Sequence, residues 1–268
     1  MGIRLVALDL DGTLLGADGI VSPMVAADLR ELQQRGVAVA VVTGRMYRAA
    51  LPYHHQIQAT LPLCSYQGAL IKDPQTGTVH RHQLISRTLA HDLLTVFQGH
   101  GLPVQVYLND TLYVQGPAQP QSLRYSQRTG VPLTPVDDLR AVLNADPTKL
   151  LAFCDQALES MWADLKDRYS PDEIYLTRST DFFIEALHPQ INKGTAVAYL
   201  AEEILGIGPE QVMSIGDYFN DLEMIRYAGV GVAMGSAPLP VQQVAAWVAP
   251  TVEEDGVSAA LHRFVLDV

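Results

Sequence analysis

Ile3-Arg4-Leu5-Val6-Ala7-Leu8-Asp9-Leu10-Asp11-Gly12-Thr13 sets an aliphatic run directly against two carboxylates and a turn. Aliphatic residues without polar alternation are the pattern of a strand covered on both faces, as in a parallel sheet. A buried strand is therefore expected over Ile3–Leu10. Two later runs repeat the design: Val37–Val42 runs into Thr43-Gly44-Arg45, and Val212–Ile215 into Gly216-Asp217. Between the first two, Ser22 to Arg35 reads as a helix, with Ser22 as N-cap, Pro23 in the first turn and Gly36 after the end. Strand, helix and strand with short connections predict an α/β open sheet, whose ligands gather outside the carboxyl ends of the strands.

The middle of the chain has a different texture. Val104–Leu108, Asn109-Asp110 and Thr111–Val114 read as a hairpin. Leu150–Phe153, Ile174–Leu176 and Phe182–Ala186 read as short strands, with a helix over Leu158–Arg168. This block is expected to be an α+β domain inserted into the outer sheet. After it, Asn192-Lys193-Gly194 opens a helix that runs through Leu205 and stops at Gly206.

Composition narrows the classes of function. The 268 residues include 48% hydrophobic and 18% charged, as in a globular protein with a sizeable core. A net charge of −11 repels phosphate backbones, so no nucleic-acid partner is expected. No aliphatic run approaches the roughly 20 residues of a membrane span, so no membrane partner is expected either. The N-terminal apolar segment meets Asp9 too soon for a signal peptide, and Val6 stands where myristoylation wants Ser or Thr. Cys64 and Cys154 offer no metal or disulfide spacing. A cytoplasmic protein is the expectation.

The chemistry-bearing residues cluster at the predicted strand ends. Asp9 and Asp11 lie two apart and would project to one side of a strand. Paired carboxylates make a Mg²⁺ site and push each other's proton affinities apart, so one can stay ionised while the other carries a proton. Thr43 and Gly44 place a hydroxyl and a backbone N–H where phosphoryl oxygens could be held. Lys193 adds a point charge at a helix start. Asp217 and Asp221, four apart with Asn220 between, could complete a metal shell. Each motif has a plain alternative: a solvated turn, a surface lysine, a capped helix. His54-His55 and His80-x-His82 lack a third ligand at metal spacing.

Taken in order, Leu8-Asp9-Leu10-Asp11-Gly12-Thr13-Leu14, Val42-Thr43-Gly44-Arg45, Asn192-Lys193-Gly194 and Gly216-Asp217-x-x-Asn220-Asp221 resemble the motifs of the haloacid dehalogenase superfamily of phosphatases. The Cof-type subgroup is the nearest match. Ala228-Gly229-Val230-Gly231-Val232-Ala233-Met234-Gly235 and Glu254-Asp255-Gly256-Val257 echo it further. The resemblance implies a Rossmann-like core over 1–81 and 188–268, with residues 82–187 as an inserted cap that selects substrate. It implies that Asp9 attacks phosphorus while Asp11 serves as acid and then base. Mg²⁺ would be held by Asp9, the Asp11 backbone carbonyl and Asp217, with Asp221 added as a ligand or orienting Lys193. Leu10 N–H, Thr43, Gly44, Arg45, Lys193 and Asn220 would grip the phosphoryl group. The substrate expected is a small phosphorylated metabolite. A phosphotransferase or mutase, and a non-catalytic phosphate-binding regulator, are the competing readings. Two departures stand out: Tyr66-Gln67-Gly68-Ala69 where the family has Asn-Gly-Ala, and Tyr218 after Asp217.

Overall fold

Leu5–Leu8 pairs in parallel with Val212–Gly216 on one side and Ala38–Val41 on the other, with Leu8 level with both Ile215 and Val41. Val230–Ala233 and then Trp247–Val248 extend this sheet beyond Val212–Gly216, again in parallel. The computed structural model describes residues 2–154 and 158–268; Met1 and residues 155–157, which fall inside the expected core and cap segments, lie outside the described residues. Because neighbouring strands run the same way in register, their carboxyl ends open on one edge. Asp9, Thr43 and Asp217 all leave the sheet there, each just beyond its strand.

The sheet's position follows from its covering. Leu5, Ala7, Ala40, Val42 and Val212 pack with Val197, Leu200 and Met224 in one buried cluster. The Pro23–Gln34 helix buries Val25, Leu29 and Leu32, and the Ser22 side chain accepts from the Met24 N–H at 3.3 Å as its cap. Helix Lys193–Ala198 starts in a capping box between Asn192 and Thr195. It passes into π-helical turns over Tyr199–Leu205, and the Gly206 N–H donates to Ala201, five residues back. The chain is thus helical to Leu205 as expected, but not as one uniform α-helix. A second, small sheet is formed by Leu63–Ser65, Leu70–Lys72 and Val79–His82.

The first strand is shorter than its apolar run. Ladder pairing covers Leu5–Leu8, whereas the sequence suggests Ile3–Leu10. The Leu10 carbonyl turns back to accept from the N–H groups of Thr13 and Leu15, so the chain leaves the sheet at Asp9.

The chain divides into two compact units: residues 1–45, 50–80 and 192–268 form one, and 46–49 with 81–191 the other. Within the second, six strands lie in the order Tyr175–Thr177, Phe183–Leu187, Lys149–Phe153, Val104–Leu108, Thr111–Gln115, Leu133–Val136. Only the last two pair in parallel. Asn109 and Asp110 both take positive φ (51° and 54°), the geometry of a two-residue hairpin turn that asparagine and aspartate tolerate. Helices Arg87–Gly99 and Leu158–Arg168 contribute Leu93, Phe97, Met161 and Leu165 to a core with Val106, Leu150 and Ile184.

Candidate active site

Three strand ends and one helix start converge on a buried cluster of charge. Asp9, directly after the central strand, is 4% exposed. Its Oδ1 accepts from Lys193 Nζ at 2.5 Å, and the same ammonium donates to Asp221 Oδ1 at 2.6 Å. Lys193 is fully buried, which a surface lysine would not be. The capping box fixes the backbone from which it projects. Asp221 Oδ2 accepts from the N–H groups of Asp217 (2.9 Å) and Tyr218 (3.1 Å), so this carboxylate closes its own turn while holding the lysine.

Asp9, Asp217 and Asp221 bring carboxylate oxygens within 4.8 Å of one another. Such proximity has a cost that shows in proton affinity. Burial pushes Asp9 up to about 7 against the pull of Lys193, and Asp221 and Asp11 push the same way. Burial likewise raises Asp217 well above the usual carboxylate range, with Asp9 and Asp221 adding to it. Burial pulls the Lys193 ammonium down, yet Asp221 and Asp9 together raise it above the ordinary lysine range. Three carboxylates face one cation. An all-oxygen donor set with surplus negative charge has the chemistry of a hard divalent cation site, which suits Mg²⁺.

The Asp11 side chain is not part of this trio. Arg45 forks it, Nε to Oδ2 and Nη2 to Oδ1, each at 2.7 Å. Arg45 is only 4% exposed and its guanidinium sits 5.0 Å from the centre of the Tyr53 ring. The residue expected to grip phosphate is thus engaged with the second carboxylate. Its planar fork fixes the direction of the Asp11 carboxylate in a way that a lysine could not.

Thr43 is buried, and its Oγ1 accepts from the Arg45 N–H at 3.1 Å. Gly12, at φ +83°, has no room for a side chain: a Cβ would come within 2.2 Å of Asp217 Oδ2. The turn of the first motif therefore lies against the aspartate of the last. Leu10 is buried and supplies its carbonyl to that turn.

Gln67 holds a place that its sequence did not reveal. It is fully buried, and its Oε1 accepts from Asn220 Nδ2 at 3.1 Å. Its backbone N–H donates to the Thr43 carbonyl at 2.9 Å. A Cβ on Gly44 would meet Gln67 Nε2 at 2.4 Å, so the glycine admits this side chain. Tyr66 and Gln67 both adopt positive φ (52° and 58°), a conformation costly for non-glycine residues and commonest where a site over-determines it. The longer side chain thus ties the Thr43-Gly44 loop to Asn220, whose buried Oδ1 has no partner among the described residues. The sequence marked Gln67 only as a departure from the family's Asn-Gly-Ala, without pointing to its partners.

The haloacid dehalogenase-like hydrolase family matches the chain over residues 6–261. Among similar proteins is a 5-amino-6-(5-phospho-D-ribitylamino)uracil phosphatase of Bacillus subtilis, 29% identical, with 97% of each chain covered. Another Bacillus subtilis phosphatase is 28% identical over 98% of this chain and 100% of its own. A haloacid dehalogenase-like hydrolase from Bacteroides thetaiotaomicron superposes with a TM-score of 0.85 at 26% identity, covering 97% of this chain and 99% of its own. Among the described residues, no helix is long and apolar enough to cross a membrane. With its motifs at the strand ends of a parallel α/β sheet, the chain belongs to the haloacid dehalogenase-like hydrolases, among the phosphatases of that superfamily.

Proposed function

We propose that the protein is a Mg²⁺-dependent phosphomonoesterase that works through an aspartyl-phosphate on Asp9. The observation that carries this reading is the fully buried Lys193 ammonium fixed between Asp9 and Asp221 at the carboxyl edge of the sheet. A carboxylate held in this way loses little entropy on reaching an attacking geometry. Asp9 attacks phosphorus, an Asp9 O–P bond forms, and the ester P–O bond breaks. Asp11, aimed by Arg45, delivers a proton to the departing alkoxide. Water then attacks the phosphoryl group, Asp11 accepts its proton, and the bond to Asp9 breaks to release inorganic phosphate.

Mg²⁺ held by the Asp9 and Asp217 carboxylates, with the Asp11 backbone carbonyl, would offset the charge of the phosphoryl oxygens. Asp221 acts by holding Lys193 and the Asp217 turn. Leu10 N–H, Thr43, Gly44, Lys193 and Asn220 steady the transferring group, with Gln67 behind Asn220. The substrate class is a small phosphorylated metabolite of sugar or sugar-alcohol type, as the name of the ribitylaminouracil phosphatase suggests.

Intact-mass measurement after rapid mixing with an activated aryl phosphate tests the assignment. Asp11→Asn keeps the nucleophile and is expected to trap a phosphate adduct, because the second step lacks its base. Asp9→Asn is expected to show none. An adduct on Asp9→Asn, or none on any form under any quench, would overturn the proposed mechanism.

A further inference from the structure

A cavity of about 610 Å³ lies within the inserted unit, and none of its lining residues belongs to the carboxylate cluster. Gln115 stands level with Val136 where Thr111–Gln115 and Leu133–Val136 run in parallel, and the Gly116 N–H donates to the Val136 carbonyl at 2.8 Å. The two chains therefore leave the sheet side by side, one toward Gln119 and the helix Pro120–Thr129, the other into Asp137-Asp138. Both exits line the cavity, and Gln98, near the end of the Arg87–Gly99 helix, lines it with them. Val104, Val114 and Leu139, all buried, give the lining an aliphatic wall.

Part of the polar lining is tied into a frame. Gln98 Nε2 donates to Gln115 Oε1 at 2.7 Å, and Arg140 Nη2 donates to Gln98 Oε1 at 3.2 Å. Both terminal nitrogens of Arg140 also donate to Thr95 Oγ1, each at 3.2 Å. Asp138 Oδ1 accepts from the Arg140 N–H at 2.9 Å, as the cap of a short helix. The guanidinium is thus engaged with neutral neighbours, while two carboxylates, Asp137 and Asp138, face the same space. Such a lining disfavours an anionic ligand.

Ser122 lies outside the frame. It lines the cavity, it is 2% exposed, and its hydroxyl makes no hydrogen bond among the described residues. Polar groups withdrawn from solvent and left without a partner are uncommon in native proteins. Gln119 also lines the cavity and holds the N-cap position of its helix, yet its side chain makes no capping bond. These groups ask for different things: the Asp137 carboxylate for a donor, Gln115 Nε2 for an acceptor, Gln119 and Ser122 for either. An ammonium only donates and a carboxylate only accepts, whereas a hydroxyl does both. Several hydroxyls on one saturated skeleton answer the whole set, and the C–H face of that skeleton suits the aliphatic wall.

We propose that this cavity binds a neutral polyhydroxylated molecule of monosaccharide size, at a site separate from the catalytic cluster. Its hydroxyls bond Ser122, Gln119, Asp137 and the Gln115 amide, and its C–H face lies against Val104, Val114 and Leu139. Binding there does not depend on the mechanism proposed for Asp9.

Saturation-transfer NMR titration of the full chain with D-glucose, a ring, and with sorbitol, its open-chain counterpart, tests this. At least one of the two is expected to bind in the range of about 1–10 mM, the order for a small ligand held by a few hydrogen bonds. Glucuronate and gluconate, the carboxylate forms of the two, should each bind at least about tenfold more weakly than the neutral counterpart, because they meet Asp137 and Asp138. Ser122→Ala with Gln119→Ala should weaken the better ligand by roughly tenfold. Gln119→Ala alone, with about threefold expected, serves if loss of the buried hydroxyl shifts the thermal midpoint. Asp137→Asn should narrow the gap between the charged and the neutral ligand to about threefold. The proposal is overturned if neither glucose nor sorbitol binds at about 50 mM, if the carboxylate forms bind as tightly as the neutral ones, or if the variants bind as wild type does, which would put the ligand elsewhere on the chain.

Discussion

Two lysines of this protein are buried against carboxylates, in different proportions. In the inserted unit, Lys149 meets Glu185 at 3.0 Å, and both side chains are about 2% exposed. The Lys149 ammonium lies 4.7 Å from the centre of the Tyr107 ring, and the Ser179 hydroxyl donates to the other oxygen of Glu185. In these contacts among the described residues, one cation is set against one anion. In the core unit Lys193 faces Asp9, Asp217 and Asp221 together. Burial disfavours the surplus charge at the second site, so proton uptake or a bound cation must settle it. Unbalanced buried charge marks the place where a ligand completes the structure, whereas balanced charge can be accounted for by the fold alone.

The largest effect that would sharpen this contrast is on catalysis. Lys193→Ala should lower kcat by on the order of 100-fold or more, because a preorganised charge on the phosphoryl group is lost. A variant with wild-type kcat for a small phosphate ester would break the comparison at its stronger end.

The motif residues were legible because chemistry and local geometry coincide in them. Largely apolar runs that end at or next to Asp9, Thr43 and Asp217 announce parallel strands and their carboxyl ends together. The hairpin turn at Asn109-Asp110 announced itself for a similar reason, since few residues accept positive φ. What stayed hidden was decided by tertiary packing. Leu133–Val136 carries Pro135, which argues against a strand until its place at the sheet edge is known. Trp247–Val248 pairs over two residues only, too few for any periodicity. Gln67 and Arg45 were both visible as residues, but not their partners: a side chain's reach across 153 positions to Asn220 leaves no mark in spacing.

A second expected effect falls on stability in the inserted unit. Glu185→Gln leaves a buried ammonium without its counter-charge and should destabilise by about 3 kcal/mol in urea unfolding. The double replacement Lys149→Met with Glu185→Leu should recover most of that loss, because a buried pair is often replaceable by apolar residues of similar volume. If the double variant were as unstable as the single one, the pair would contribute more than mutual neutralisation. The balanced site would then be less simple than its geometry suggests.

The smallest effect separates the two sites most directly. Asp217 has a proton affinity raised on folding, by burial first and then by Asp9 and Asp221. The folded protein therefore binds this proton more tightly than the unfolded chain does. A group of this sign stabilises fully below its unfolded value, near 4, and that contribution is lost as the pH rises through the folded value. In chelator above neutral pH, Asp217→Asn removes the strained charge and should raise the thermal midpoint by about 2 °C or more, an order-of-magnitude figure for a chain of this size. The gain should shrink as the pH falls, since wild-type Asp217 then carries its own proton. With millimolar Mg²⁺ the order should reverse, because the cation stabilises only the form that binds it. Thermal melts of both proteins at two pH values, with and without Mg²⁺, would show this crossing. An Asp217→Asn protein less stable than wild type under all four conditions would mean that Asp217 supports the fold, and that the surplus charge of the cluster is not held in reserve for a metal.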